Sequence, residues 1–213
     1  MRESDRYNIL TSKLPETVQV SGVEVPINTD FRVGIRFDDL MHSEKSDEEK
    51  IFGLLLLYYP ELPLDLDGAV MAAVRFFAAW RDIPEHDDGA GIRASEKKEI
   101  CSFSQDAPYI YAAFRQQYGI NLQTISSGEL HWWEFLALFE ALDENTLIRR
   151  IMYYRNVPLS DFKGKERKRI QELKRIYRLK NDASMDAKTA LAKRNAGMKA
   201  YVKKRLETVN AHR

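Results

Sequence analysis

Residues 27–41 read "INTDFRVGIRFDDLM", and the stretch can be taken two ways. Phe31, Val33, Ile35 and Phe37 alternate with other residues, the period-two signature of a half-buried strand. Asn28, Thr29 and Asp30, just ahead of them, are helix-opening residues. Gly34 counts about 1 kcal/mol against a helix, so periodicity by itself favours a strand. The choice decides whether this part of the chain adds to a sheet or joins an otherwise helical body.

Upstream, Val18, Val20, Val23 and Val25 flank Ser21-Gly22 and predict a small hairpin, with Pro26 confining the second strand to an edge. Downstream the signals are helical. Ser46 with Glu49 predicts a capping box, Asp47 and Glu48 complement the first-turn dipole, and Pro60 ends the helix. A second helix is expected over residues 67–81, capped by Asp65 or Asp67 and carrying Val70, Val74, Phe77 and Trp80. Residues 84–105, with Gly89, Gly91 and mixed charge, read as a long loop or a short helix. Ser104 then predicts the cap of a helix through Ile110, Phe114 and Tyr118, closed by a left-handed Gly119.

Residues 130–139, "LHWWEFLALF", pose a second question. Neighbours on a helix point about 100° apart, so two adjacent tryptophans cannot share the centre of one buried stripe. Ser126 and Glu129 predict a capping box that opens this helix, which runs to about Leu142. Trp132, Phe135, Phe139 and Leu142 fall on one face, the core face. Trp133 lies on a flank with Leu130, Leu136 and Ala137, which implies either a helix packed on two sides or an edge kept for a partner. Asp143 or Asn145 is expected to cap the next helix, "TLIRRIMYYRN", with Leu147, Ile148, Ile151 and Met152 inward and Arg149, Arg150 and Arg155 outward. A basic amphipathic helix follows over residues 161–180, with Ile170, Leu173, Ile176 and Tyr177 on one face. Beyond Asn181 the apolar residues thin out to Met185, Leu191, Met198, Tyr201, Val202, Leu206 and Val209. Such a tail is a marginal helix or one that orders on a partner. The expected architecture is mainly α: a single helical domain over residues 1–181 with an N-terminal β-hairpin, then a basic tail over 182–213.

The chain has 213 residues, 44% of them hydrophobic, enough for one sizeable core. A lone Cys101 excludes an internal disulfide framework and a cysteine-rich zinc site and suits a reducing compartment. Residues 1–5 lack the pattern of a signal peptide. The longest apolar run, residues 51–59, is broken by Gly53 and falls far short of the roughly 20 residues that span a bilayer. The net charge of +1 conceals a split: residues 163–213 hold 17 Lys+Arg against 5 Asp+Glu, and residues 1–162 hold 16 against 27. His42, His86, His131 and His212 form no metal-ligand pair with a third ligand at helical or hairpin spacing. His131 and Glu134 stand at i, i+3, which fits packing or surface better than a site. His86-Asp87-Asp88 reads as a solvated loop, and Asp65-Leu66-Asp67-Gly68 lacks the glutamate and spacing of a calcium loop. With no phosphate-binding glycine loop, nucleophile elbow or Cys–His arrangement, neither an enzyme nor a cofactor is expected.

Four segments, "INTDFRVGIRFDDLM", "FSQDAPYIYAAFRQQYGINL", "LHWWEFLALFEAL" and "LIRRIMYYRNVPL", stand in the order and spacing of a family of long-tailed bacteriophage proteins. That family is named after the fifteenth gene product, and its members are encoded between the major tail protein and the tape-measure protein. Over roughly residues 8–180 the chain resembles the tail-assembly chaperones found at that gene position. The most specific pieces are the helix after Asp106, with Ile110, Phe114, Tyr118 and Gly119, and the triplet His131-Trp132-Trp133. The resemblance implies a helix over residues 30–42. It further implies a non-catalytic protein of the host cytoplasm that coats the tape-measure protein and helps recruit tail-tube subunits. Trp133, Tyr153 and Tyr154 are then the expected apolar contacts. Arg155, Lys168 and Arg175 are expected to hold an acidic client or the acidic body of a neighbouring copy. Two other readings stand beside this one. One is a structural or completion protein of the phage tail. The other is a nucleic-acid-binding accessory protein acting through its basic tail, with Tyr177 and Tyr201 stacking, although the net −11 of residues 1–162 repels phosphate.

Overall fold

A computed structural model describes residues 9–79 and 100–180. Among them the chain is mainly α: a two-stranded hairpin, β1 (Thr17–Val20) and β2 (Val23–Pro26), precedes seven α-helices. These are α1 (Phe31–Met41), α2 (Asp47–Tyr58), α3 (Leu66–Ala78), α4 (Ala107–Tyr118), α5 (Trp132–Glu140), α6 (Leu147–Asn156) and α7 (Gly164–Ile176). The chain forms two compact units, Met1–Arg150 and Ile151–Arg213, and the division falls inside α6. The boundary expected at residue 181 lies where the described residues end. The loop expected over 84–105 lies mostly outside them, as do Trp80, His86 and the tail.

The ambiguous stretch is a helix. Asp30 Oδ1 accepts the Arg32 N–H at 2.8 Å and caps α1. The strand-like alternation misled because α1 packs against both α2 and α5, so Phe31, Val33, Gly34 and Phe37 are all buried and no narrow stripe marks the helix. Gly34, which weighs against a helix, makes room for α5. A Cβ there would stand 2.3 Å from Cδ2 and Cε3 of the Trp132 indole.

The hairpin forms as the valines predict, with Val18 opposite Val25 and Val20 opposite Val23. Ser21 and Gly22 both take positive φ, 49° and 80°, the backbone of a two-residue turn whose twist matches the strands. α2 opens with the full capping box of Ser46 and Glu49. α3 is capped by Asp65, which accepts the Gly68 N–H at 3.0 Å and also the Ser21 hydroxyl, tying the hairpin turn to the helix start.

Two predicted starts are corrected. Ser104 does not cap α4. The helix begins after Asp106, whose buried carboxylate turns back to accept the Ser102 N–H at 3.0 Å, and Pro108 sits in the first turn. Gly119 closes the helix in the left-handed region, at φ 71°, as expected. Ser126 does not open α5 either. The Ser126 N–H does bond Glu129 Oε2 at 3.0 Å, but Gly128 at φ 80° turns the chain out of helical geometry. His131 then pairs with Asp30 as an isolated antiparallel bridge, and α5 starts one residue later. Asp143 shapes the turn ahead of α6, its Oδ1 accepting the Asn145 N–H at 2.7 Å. Within α6, Ile148 and Ile151 are fully buried as predicted, but Leu147 is exposed and Arg155 is buried.

Candidate interaction surface

The tryptophan pair is explained by the end of α3. The last carbonyls of a helix lack the donor one full turn on, and two of those ending α3 accept the two indoles, that of Phe76 alongside the Ala79 N–H. Trp132 Nε1–H donates to the Phe77 carbonyl at 2.9 Å, and Trp133 Nε1–H donates to the Phe76 carbonyl at 2.8 Å. Consecutive residues of α5 therefore straddle the C-terminal end of α3. The Trp132 ring stacks on Phe77 with centroids 5.2 Å apart and continues toward Phe135, which stacks in turn on Phe31 and Phe114. Trp132, Phe135, Phe139 and Leu142 are core, as their spacing predicts. Trp133 is only 7% exposed. It is held by protein on its flank and offers no open edge to a partner.

His131 caps α5. Its Nδ1 accepts the Trp133 N–H at 3.0 Å, and its Nε2 donates to the Pro15 carbonyl at 3.0 Å, which fixes a neutral ring. Burial pushes its pKa down. It does not act with Glu134. Arg32 braces the loop between α4 and α5: its guanidinium reaches Asp30 at 3.1 Å and the carbonyls of Leu122 and Ile125 at 3.2 and 2.7 Å. The same Asp30 carboxylate accepts the Gly128 N–H at 2.7 Å.

The remaining predicted contact residues lie in the second unit. Tyr153 is half exposed, its ring edge-on to Tyr154, and Tyr154 stacks on Tyr177 at 6.3 Å. Arg155, expected to face outward, is buried and structural. Its Nε–H donates to the Tyr177 carbonyl at 2.6 Å, while Lys174 Nζ donates to the Arg155 carbonyl at 2.9 Å, joining α6 to the end of α7. Lys168 and Arg175 are exposed on α7, and Arg175 pairs with Glu172 at 2.6 Å. Such an exposed pair contributes little to stability.

The surface that sequence reasoning passed over is on α2 and the segment after it. Seven of the thirteen large hydrophobic side chains exposed among the described residues fall between positions 51 and 71: Ile51, Phe52, Leu56, Leu62, Leu64, Leu66 and Met71. Phe52 and Leu56, one turn apart, are 59% and 57% exposed. The signal is present in the run "IFGLLLLYY", which places more apolar residues on the helix ended by Pro60 than one buried stripe can hold. A helix apolar on every side is ordinarily buried all round, yet α2 buries Leu54, Leu55 and Tyr58 and leaves its opposite side open. The stretch of chain that carries it is acidic: residues 38–67 hold nine Asp+Glu against two Lys+Arg.

Among the described residues no group of three His, Cys, Asp or Glu side chains is arranged to hold a metal ion, and no helix is long and apolar enough to cross a membrane. An open depression of about 340 Å³ is lined by Ile120, Asn121, Thr124, Ile125, Glu129, Leu130 and Glu134, and Glu129 is already engaged by Ser126. No curated protein and no solved structure matches the chain. A family model described as bacteriophage Gp15 protein matches residues 10–179. That span takes in the hairpin, the Asp30 cap, the tryptophan pair with the α3 end that receives it, and α6 with α7. With four fifths of its length covered by the match, the chain belongs to the bacteriophage Gp15 protein family.

Proposed function

We propose that this protein is a phage tail-assembly chaperone that binds the tape-measure protein and helps recruit tail-tube subunits to it. Membership of a bacteriophage family supports the broader role in building or assembling the particle. The observation that carries the finer reading is the open side of α2, where Ile51, Phe52 and Leu56 face solvent beside the leucines of the following segment. Exposed apolar groups concentrated in one stretch of a chain mark a place where another molecule docks. Aliphatic and aromatic side chains without fixed polar partners accept many apolar sequences, which is what a long, apolar client requires. Trp133 and Arg155 leave the list of contacts because both are buried. Tyr153, Lys168 and Arg175 remain exposed, and Tyr154 is half-buried in its stack.

The test is co-expression with the tape-measure protein encoded beside it, followed by affinity purification and light scattering of the soluble material. The proposal requires a soluble complex with several copies of this chain per client, lost when Phe52→Ser and Leu56→Ser are combined. A tape-measure protein that stays insoluble, together with stoichiometric recovery of this chain from purified particles by mass spectrometry, would instead establish a structural component of the tail.

A further inference from the structure

The open side of α2 belongs to an acidic stretch of the chain, and that charge selects among occupants. Residues 38–67, which contain α2 and the connection to α3, carry a net charge of −7. Residues 80–99, outside the described part of the structure, carry four Lys+Arg against six Asp+Glu, net −2. Like charge disfavours that segment as the cover. Residues 182–213 carry eight Lys+Arg against three Asp+Glu, net +5. Their apolar residues recur at Leu191, Met198, Val202, Leu206 and Val209, spacings of seven, four, four and three that would set them along one face of a helix. The chain thus contains, in one sequence, an apolar acceptor in an acidic stretch and a basic segment of helical apolar spacing matched to it in both charge and apolarity.

We infer that residues 182–213 of one copy dock on the open side of α2 of a second copy, joining molecules head to tail. Apolar side chains on the segment cover Phe52 and Leu56, while its lysines and arginines face the acidic residues around them, Glu48 and Glu61 among these. Each copy keeps one acceptor and one donor after pairing, so the contact is heterologous and propagates unless its rotation closes a ring. The nearly balanced total charge of +1 means that adjacent copies do not repel as whole molecules. The face is the one assigned to the client above, and the inference rests on that reading of it as a docking surface. The experiment contains no client, so its failure leaves the question of tape-measure binding open.

Two variants of the full chain separate the halves of the contact. Phe52→Ser with Leu56→Ser spoils the acceptor and keeps the segment. Val202→Asp with Leu206→Asp spoils the segment and keeps the acceptor. Circular dichroism establishes that each variant is folded, and Phe52 and Leu56 lie outside the buried core identified above. Sedimentation velocity of the unmodified chain is expected to show species heavier than 24.8 kDa that grow with concentration and weaken at about 500 mM salt, where the Debye length is only a few ångströms. Each variant alone is expected to stay monomeric at concentrations about tenfold above those where the unmodified chain assembles. The equimolar mixture is expected to form a pair and nothing larger, because only one acceptor and one segment are intact. An unmodified chain that is monomeric throughout, assembly that survives in either variant, or a mixture that remains monomeric overturns the inference. Should the acceptor variant be poorly folded, Glu48→Lys with Glu61→Lys tests the same face through charge, and assembly unchanged in that variant counts equally against it.

Discussion

Gly34 and Trp132 form a contact in which one side chain's absence is the other's seat. With 2.3 Å between the indole and the place a Cβ would occupy, Gly34→Ala must push α1 from α5. Overpacking of this kind costs about 1–3 kcal/mol, and a drop of that size in the urea-unfolding free energy is the expected result, although alanine is the better helix former. The sequence could not disclose this: glycine's poor propensity is local, whereas its use depends on a tryptophan about a hundred residues away. Tyr58 presents the opposite case. Its hydroxyl is buried with no hydrogen-bond partner among the described residues, and burial pushes its pKa up. Tyr58→Phe removes an unsatisfied group and should hold stability constant or raise it by up to about 1 kcal/mol, seen as an unchanged or higher unfolding midpoint. His131 supplies a pH response. Burial holds its pKa below the ordinary 6.5, so the unfolded chain takes up the proton first as pH falls. Its contribution is complete above that value and is lost as pH drops from there through the lowered folded one. Once protonated, Nδ1 can no longer accept from Trp133. His131→Asn retains a capping acceptor and should flatten the fall in unfolding midpoint between pH 7 and pH 5.

At the scale of the element, α2 is two helices in one. Its inner side is ordinary core, and Leu55→Ala should cost about 2–5 kcal/mol. On its outer side Leu56→Ser should move the thermal midpoint by no more than about 0.5 kcal/mol equivalent, while lowering recovery of the tape-measure complex. Comparable destabilisation by both substitutions would mean that Leu56 is covered within the monomer and would remove α2 as a docking element. The legibility of helix starts followed the same division between local and distant causes. Ser46 with Glu49 was readable because both halves of the box act within one turn. Ser126 with Glu129 satisfies the same pattern, yet the chain leaves the helical path at Gly128, and the cap falls on His131 because residues 29–31, leading into α1, bridge there. Those bridging residues lie far outside the window that a capping pattern inspects.

At the scale of the molecule, the two units can be followed separately, because every tryptophan of the chain lies within Met1–Arg150. Arg155→Ala, in the second unit, removes the donor to the Tyr177 carbonyl and should cost about 1–3 kcal/mol there. Amide hydrogen exchange over Gly164–Ile176 is expected to accelerate markedly, while unchanged exchange would show that the Arg155 bond is dispensable. The mainly helical class and the order of elements were legible from capping residues, apolar spacing and the family resemblance. The division inside α6 was not, because a helix that continues across a boundary leaves no composition shift to mark it. The first unit also has a schedule. Its core joins α1, α2 and α3 to Trp132, Trp133 and Phe135, and the tryptophans leave the ribosome about fifty residues after the end of α3. At roughly 5–20 residues per second, the carbonyls of Phe76 and Phe77 wait roughly 3 to 10 seconds for the indoles that fill them, and the notch at Gly34 about twice as long. For that interval the nascent chain displays its own unfinished interior, an apolar surface that closes only when residue 133 arrives.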